Sequence, residues 1–437
     1  MSLAMSLRGR GALGSAARTT VVLSRFGLTA RAMAERLDRY EAILSELAIR
    51  PTWPATACVV ARHPALLRAY AERGAELALH GLVHGDHRAL DEKTQRETIA
   101  RAADIFDRAG IAASGFRGPY LRYNEATLAA LRELGLRYHS SQAVAFPILE
   151  PDPSGACATS YDLALELYGA QDARRVAVRP RLDRGLVDIP VAIPDDEILV
   201  ERLRLTPSAA AAEWGNILAL THERGDLFVV QLHPERILEL RAALSATLRD
   251  ARRRQPCVLV SRLDEIAAWW LRRSRFSLRV TRGGADRYRI RVEADPDATV
   301  LVRGLEVARR PWHGADALSE LRDFEVEARR MPVVGVSRRS PEAVRDFLLE
   351  EGLPCEVSDE RHAYGAYVDV AGPAWAESDV LDSVDGAPGP LVRIWRWPSG
   401  ARSALAVTGD IDALTLFDFL VRSWETRSPA RGGWSRS

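Results

Sequence analysis

The feature that most constrains this chain is a repeated alternation of strand-like and helix-like segments running from residue 20 to residue 273. The β-branched run Thr19-Thr20-Val21-Val22-Leu23 reads as a strand, and residues 30–47 follow as a helix. Leu37, Tyr40, Leu44 and Leu47 recur at three- and four-residue steps and share one face of that helix. The pattern continues with strands near 56–60, 76–79, 115–117, 137–140, 187–193, 227–232 and 258–260. Helices are expected at 64–73, 91–108, 125–134, 209–223, 237–254 and 263–273. Successive βα units require crossovers and hence a parallel sheet, and this number of units suits a barrel or near-barrel. After Arg275 the texture changes. Phe276, Leu278 and Val280, then Tyr288, Ile290 and Val292, alternate with polar residues as half-buried antiparallel strands do.

These shifts divide the 437 residues into an N-terminal tail (1–18), the α/β unit (19–275) and a smaller β-rich α+β module (276–370). A Pro/Gly/Asp-rich linker (371–400), a strand-helix segment (401–425) and a polar tail (426–437) complete the chain. With 47% hydrophobic residues and a formal net charge of +1, the chain can bury ordinary cores and carries no global field to attract nucleic acid or anionic lipid. Cys58, Cys157, Cys257 and Cys355 form no CxxC pair, which argues for reduced thiols rather than a disulfide frame or a cysteine zinc site. No apolar run approaches the length of a membrane span, and a cytoplasmic location is the default expectation. Five arginines precede the first acidic residue, Glu35, so a transit peptide is the alternative.

The sharpest chemical signal is Leu77-Ala78-Leu79-His80-Gly81-Leu82-Val83-His84-Gly85-Asp86-His87. A strand delivers His80 to its carboxyl end, and His84 follows four residues later, a spacing at which two imidazoles can bind one divalent ion. Alone, such a pair is as readily two solvated or core histidines. Gly115-Phe116-Arg117-Gly118-Pro119-Tyr120 is a strand running into a proline turn whose arginine could pin a carboxylate, or could be simply exposed. In Phe228-Val229-Val230-Gln231-Leu232-His233-Pro234-Glu235 a histidine stands at the end of a buried strand.

Taken in this order, each at a strand terminus, these motifs resemble the polysaccharide deacetylase (NodB-homology, carbohydrate esterase 4-like) family over about 250 residues. The resemblance implies a distorted (β/α) barrel of the glycoside hydrolase/deacetylase type that removes acetyl groups from N-acetylated sugars with a divalent metal, zinc suiting the imidazoles. It further implies that His80 and His84 hold the metal, that Arg117 orients the catalytic base, and that His233 is the general acid. More loosely, Asp195 or Asp196 in Ile193-Pro194-Asp195-Asp196 matches an aspartate that contacts that arginine.

The family's first motif, a strand ending in two aspartates, is expected on the first strand, but that strand reads Val22-Leu23-Ser24-Arg25-Phe26-Gly27. Arg25 and Phe26 stand where the base and third ligand belong. At the other end of the chain, Ser403-Ala404-Leu405-Ala406-Val407-Thr408-Gly409-Asp410-Ile411-Asp412 is a strand ending in Asp-x-Asp, with both aspartates on one side. Three accounts are open. The strand enters the first unit's sheet and completes its site, with Asp410 as base and Asp412 as metal ligand; or it is a vestige of a second deacetylase-like unit; or it is an ordinary strand with a solvated acidic turn. The leading expectation is thus a metal-dependent hydrolase of a C–N amide bond acting on a carbohydrate or small amide. Its rival is a catalytically inactive carbohydrate-binding or regulatory protein. Trp269, Trp270, Trp312, Trp375, Trp395 and Trp397 are candidates for stacking on sugar rings or for packing.

Overall fold

The computed structural model describes residues 25–149 and 156–426. The strand expected at Thr19-Leu23, the tail 1–18 and the polar tail beyond Thr426 lie outside the described residues. Eight parallel strands form the central sheet: β1 (Thr52–Ala55), β2 (Glu76–Leu79), β3 (Gly115–Phe116), β4 (Tyr138–His139), β5 (Leu186–Asp188), β6 (Leu227–Gln231), β7 (Val258–Val260) and β8 (Ser403–Thr408). Their spatial order is β6-β8-β1-β2-β3-β4-β5, with β7 also paired to β8 and Arg181–Asp183 added antiparallel beyond β5. A short three-stranded sheet (Gln171–Asp172, Ala143–Ala145, Val191–Ile193) brings Val191–Ile193 against β6. The sheet thereby curls into a distorted, incomplete (β/α) barrel, the α/β class that the alternation implies.

The strand expected near residues 56–60 lies earlier, at β1. Residues Ala57–Arg62 are instead a helix, whose first four residues pack into the core. Helix α1 (Arg31–Ser45) buries Met33, Leu37, Tyr40 and Leu44, the face its periodicity defines.

Every residue of β8 is buried. Leu405 and Val407 enter the barrel core, and Ala404 and Ala406 face the core shared with the β-rich module. Full burial of a Leu or Val side chain stabilises by roughly 1.5–3 kcal/mol, so both faces hold this strand in place. β8 pairs with β6 in continuous register, Leu227 to Gln231 against Ala404 to Thr408. On its other side Thr408 meets Thr52, and Ile411 bridges to Ala55. The C-terminal strand therefore occupies a central position of the barrel sheet.

Beyond α2 (Ile237–Arg253) and β7, antiparallel strands Ser277–Gly284, Arg287–Glu293 and Asp323–Glu327 form one sheet, with strictly alternating burial along the second. Strands Arg310–His313, Asp316–Ser319, Ala298–Arg303 and Leu391–Pro398 form another, and Cys355–Val357, Met331–Val336 and Tyr364–Val368 a parallel third. Residues 371–400 are not a linker: they carry helix Glu377–Asp385 and strand Leu391–Pro398, whose apolar side chains the module buries. Trp269, Trp270, Trp395 and Trp397 lie in this core, so packing and not sugar stacking is their role. Buried ion pairs tie module to barrel, Arg396 reaching Asp226 at 2.6 Å and the barrel's Arg179 pairing with Glu351. Among the described residues no helix is long and apolar enough to cross a membrane.

Candidate active site

The site lies at the carboxyl ends of the strands, where parallel barrels gather their chemistry. His80 follows β2 directly. Gly81 holds φ +77°, and a Cβ there would meet His87 Nε2 at 2.8 Å, so the tight turn that returns His84 toward His80 requires glycine. The two imidazoles stand 5.1 Å apart between ring centres. His80 Nδ1 contacts the Arg117 carbonyl at 2.8 Å. With that nitrogen donating, Nε2 is the ring atom turned toward Asp410 and Asp412.

The aspartates arrive from β8. Gly409 passes so close to the Leu232 carbonyl that a Cβ would come within 2.1 Å of its oxygen, and Ile411 N donates to Pro54 O at 2.7 Å. Asp410 and Asp412 consequently project to the same side. Asp412 Oδ1 lies 3.4 Å from His80 Nε2, Asp412 Oδ2 lies 3.3 Å from His84 Nε2, and Asp410 Oδ2 lies 3.6 Å from His80 Nε2. One ligand atom from each of His80, His84 and Asp412 can be chosen with all three within 4.8 Å of one another. Helix α3 (Leu416–Glu425) follows, started by a capping box between Thr415 and Asp418, and places Arg422 Nη1 2.6 Å from Asp412 Oδ2.

Arg117 is fully buried. Its Nε donates to Ser140 O and its Nη2 to Ser140 Oγ, both at 2.9 Å, while Nη1 reaches Thr408 Oγ1 at 2.9 Å and Asp410 Oδ1 at 3.2 Å. Gln231 Nε2 donates to Asp410 Oδ2 at 3.1 Å. The aspartate in contact with Arg117 is thus Asp410. Asp195 and Asp196 do not contact it, because they lie across the cavity beside His233. Asp196 Oδ1 meets His233 Nδ1 at 2.8 Å, and its Oδ2 accepts from His233 N and from Arg236 Nη1.

The residues beside His80 and His84 are Asp410 and Asp412 from the end of β8, not Arg25 and Phe26. Arg25 pairs with Glu201 and Glu239, and Phe26 stacks on Phe419 at 5.3 Å. The arginine's charge is met by carboxylates and not directed at the histidines.

Burial opposes charge on every group here, and the neighbours decide which groups carry it. Burial holds His84 well below the usual imidazole range. For His80, burial is outweighed by Asp410 and Asp412, which raise its pKa. For Asp412, His84, His80 and Arg422 outweigh burial and hold the carboxyl well below its ordinary value. Asp196 in the same way keeps His233 protonated far above the imidazole range. Asp195 goes the other way: burial and the charge of Asp196 push it up to about 7.

Asp410, Asp412, His84, His233 and Asp195 line one cavity of about 300 Å³, with Tyr120, Phe26 and Arg422 on its walls. Tyr120 sits at φ +59° and Leu121 at +55°, left-handed conformations that side-chain-bearing residues adopt at a cost, directly after the Arg117-Gly118-Pro119 turn.

Residues 30–139 match the family model described as polysaccharide deacetylase. The resemblance read from the motifs is thereby shown, and the stretch contains His80, His84 and Arg117. No curated protein matches the chain. Among solved structures it is similar to a probable polysaccharide deacetylase from Pseudomonas aeruginosa PAO1 (19% identity, 55% of this chain and 73% of that one, TM-score 0.42). It is also similar to PuuE allantoinase (18% identity, 54% and 72%, TM-score 0.41) and to a family 4 carbohydrate esterase from Streptomyces lividans in complex with acetate (16% identity, 48% and 79%, TM-score 0.30).

Sequence reasoning passed over Gln231, Ser140, Thr408 and Arg422. Gln231 and Thr408 end buried strands and could have been suspected as polar residues amid apolar runs. Arg422 carries no such signal.

Proposed function

We propose that this protein is a metal-dependent amide hydrolase that removes acetyl from an N-acetylated sugar or a related small amide. The observation that carries the reading is the meeting of Asp410 and Asp412, from the C-terminal strand, with His80 and His84, more than 320 residues earlier in the chain. The donor set of two imidazoles and a carboxylate suits a borderline divalent ion such as zinc. Two of its atoms, His80 Nε2 and Asp412 Oδ1, are buried and face each other at 3.4 Å with no other hydrogen-bond partner among the described residues, an arrangement an ion between them would satisfy. A divalent cation bound by His80, His84 and Asp412 supplies polarisation of the amide carbonyl and a more acidic water.

The chain's own residues account for the proton movements. Asp410, aimed by Arg117 and Gln231, accepts a proton from the attacking water as its oxygen bonds to the acyl carbon. His233, kept protonated by Asp196, gives its Nε2 proton to the leaving nitrogen as the C–N bond breaks. Acetic acid, which ionises to acetate and a proton in water, and a free amine leave; the proton on Asp410 passes to solvent and His233 takes one back from it. The burial of Arg117 keeps the base from turning away between cycles.

The alternative of an inactive carbohydrate-binding or regulatory protein rests on Arg25-Phe26; that Arg25 pairs with Glu201 and Glu239 and Phe26 stacks on Phe419 supports the hydrolase reading over it.

The test compares zinc and total divalent-metal content in the purified protein and in Asp412→Ala, alongside acetate release from N-acetylated sugars. About one ion per chain in the wild type, a sharp fall in the variant and loss of acetate release in Asp410→Asn are expected. A fully active Asp410→Asn protein refutes the assignment of the base.

A further inference from the structure

Asp195 takes no part in the hydrolysis as read above, yet it faces the same cavity as Asp410 and His233. Its side chain is buried, with the residue 3% exposed, and Oδ1 accepts the Ile198 amide at 2.9 Å. Its other oxygen, Oδ2, has no partner among the described residues.

The remaining carboxylates of the cavity wall are answered by arginine. Asp86 has Arg122, Glu197 has Arg202, Glu201 has Arg25 and Arg236, Glu235 has Arg236, Asp410 has Arg117, and Asp412 has Arg422. Among the described residues, Asp195 alone of these carboxylates has no cationic side chain within ion-pair distance. A buried carboxyl oxygen left open to a ligand cavity is unfavourable in the free protein and becomes favourable only when something donates to it.

Asp196, next in the chain, points the other way and spends both oxygens on His233 and Arg236. The neighbouring carboxyls therefore divide their work, Asp196 charging the acid and Asp195 facing the ligand. Because its pKa sits at about 7, Asp195 can accept from or donate to a neutral group, and it calls for no cation. A hydroxyl is that kind of group. At about 300 Å³ the cavity lies at the small end of ligand pockets, a size that holds about one sugar ring.

We propose that Asp195 determines specificity by binding, through its open oxygen, a hydroxyl of a monosaccharide-sized substrate beside the scissile amide. This rests on the hydrolase reading for the position of the amide, not for the existence of the subsite.

The probes are N-acetylglucosamine and its 3-deoxy analogue, offered to the metal-loaded full-length protein, to Asp195→Ala and to Asp195→Asn, with metal content measured for each. Preference for the hydroxylated sugar is read as a ratio of kcat/KM where the sugars are hydrolysed and of Kd where they are only bound. The wild type is expected to prefer the hydroxylated sugar by about 10- to 100-fold, the range for a hydrogen bond to a charged group. In Asp195→Ala the preference collapses toward unity through loss on the hydroxylated sugar alone, with metal content unchanged. Asp195→Asn, which keeps the hydrogen-bonding shape, retains most of the preference. A wild-type ratio near one, an undiminished ratio in Asp195→Ala, or no measurable binding of either sugar overturns the proposal. The wild-type ratio decides even if the alanine variant does not fold. Binding preference without hydrolysis would instead refute the hydrolase reading and leave the subsite standing.

Discussion

Replacing Arg117 by methionine tests whether the C-terminal strand and the barrel are one electrostatic unit. The guanidinium is wholly buried and joins Ser140, after β4, to Thr408 at the end of β8 and to Asp410 just beyond it. Methionine preserves most of the aliphatic stem and removes the charge, so packing changes little. What remains is a carboxylate at Asp410, itself buried, with Gln231 Nε2 as its one hydrogen-bond donor among the described residues and only the His80 ring, 3.6 Å away, to offset its charge. Breaking a buried pair by deleting one partner costs about 3–5 kcal/mol, chiefly because the other charge is stranded. Arg117→Met is therefore expected to lower unfolding free energy by about 3–5 kcal/mol in chelator-treated protein, where bound ion cannot mask the loss. Urea unfolding followed by tryptophan fluorescence and far-ultraviolet circular dichroism measures it. Adding Asp410→Asn removes the stranded charge, so the double variant should be more stable than the sum of single effects predicts by at least about 1 kcal/mol. An Arg117→Met loss below about 1 kcal/mol, or strict additivity with Asp410→Asn, would refute the reasoning.

Three further outcomes are expected. At the opposite end of the barrel, burial and Asp264 raise the Glu76 carboxyl to about 7, although Thr52 and Tyr138 hydrogen-bond it. A raised folded pKa contributes stability that is complete below about 4.5 and is lost as pH climbs through about 7, by up to roughly 3 kcal/mol; Glu76→Gln should flatten that decline, and an unchanged pH–stability curve would contradict it. Arg422 competes for Asp412 Oδ2, so Arg422→Ala should tighten zinc binding about fivefold in calorimetric titration, the equivalent of about 1 kcal/mol; weaker binding would mean that the arginine instead orients the ligand. Because Asp196 is what holds His233 protonated, Asp196→Asn should move the alkaline limb of the kcat profile to lower pH, and a limb that stays put would exclude His233 as the acid.

How much of this could be read beforehand follows from how local each determinant is. His80 and His84 were legible because strand, turn glycine and four-residue spacing are contiguous, and the arginine turn was legible for the same reason. The Asp-x-Asp motif was visible too, but its place was not: β8 lies between β6 and β1, partners more than 170 residues away, and no local pattern encodes such a pairing. Asp195 and Asp196 show the finest limit. Neighbouring residues project to different sides, so a one-residue ambiguity exchanged the carboxyl that charges the acid for the one facing the cavity, and the contact assigned to them with Arg117 belongs to Asp410. Residues 371–400 were misread because residues 371–390 are rich in Pro, Gly and Asp, although Leu391–Pro398 is an apolar strand once its burial is known.

The position of β8 also explains how two histidines near one end of the chain and two aspartates near the other come to share one site. A curled parallel sheet has spatial neighbours but no privileged first strand; what β6 and β1 require between them is a fully buried strand in register, whichever terminus delivers it. Ala404, Leu405, Ala406 and Val407 satisfy that requirement on both faces, and the β-rich module before them supplies the second core against which Ala404 and Ala406 pack. The aspartates then reach the histidines by register alone, since Thr408 opposite Thr52 and Ile411 opposite Ala55 fix where Asp410 and Asp412 must stand. On the proposed reading the module is part of the site's architecture even though, among the described residues, it lends no side chain to the cavity: it is the core that keeps the last strand, and with it Asp410 and Asp412, in the barrel.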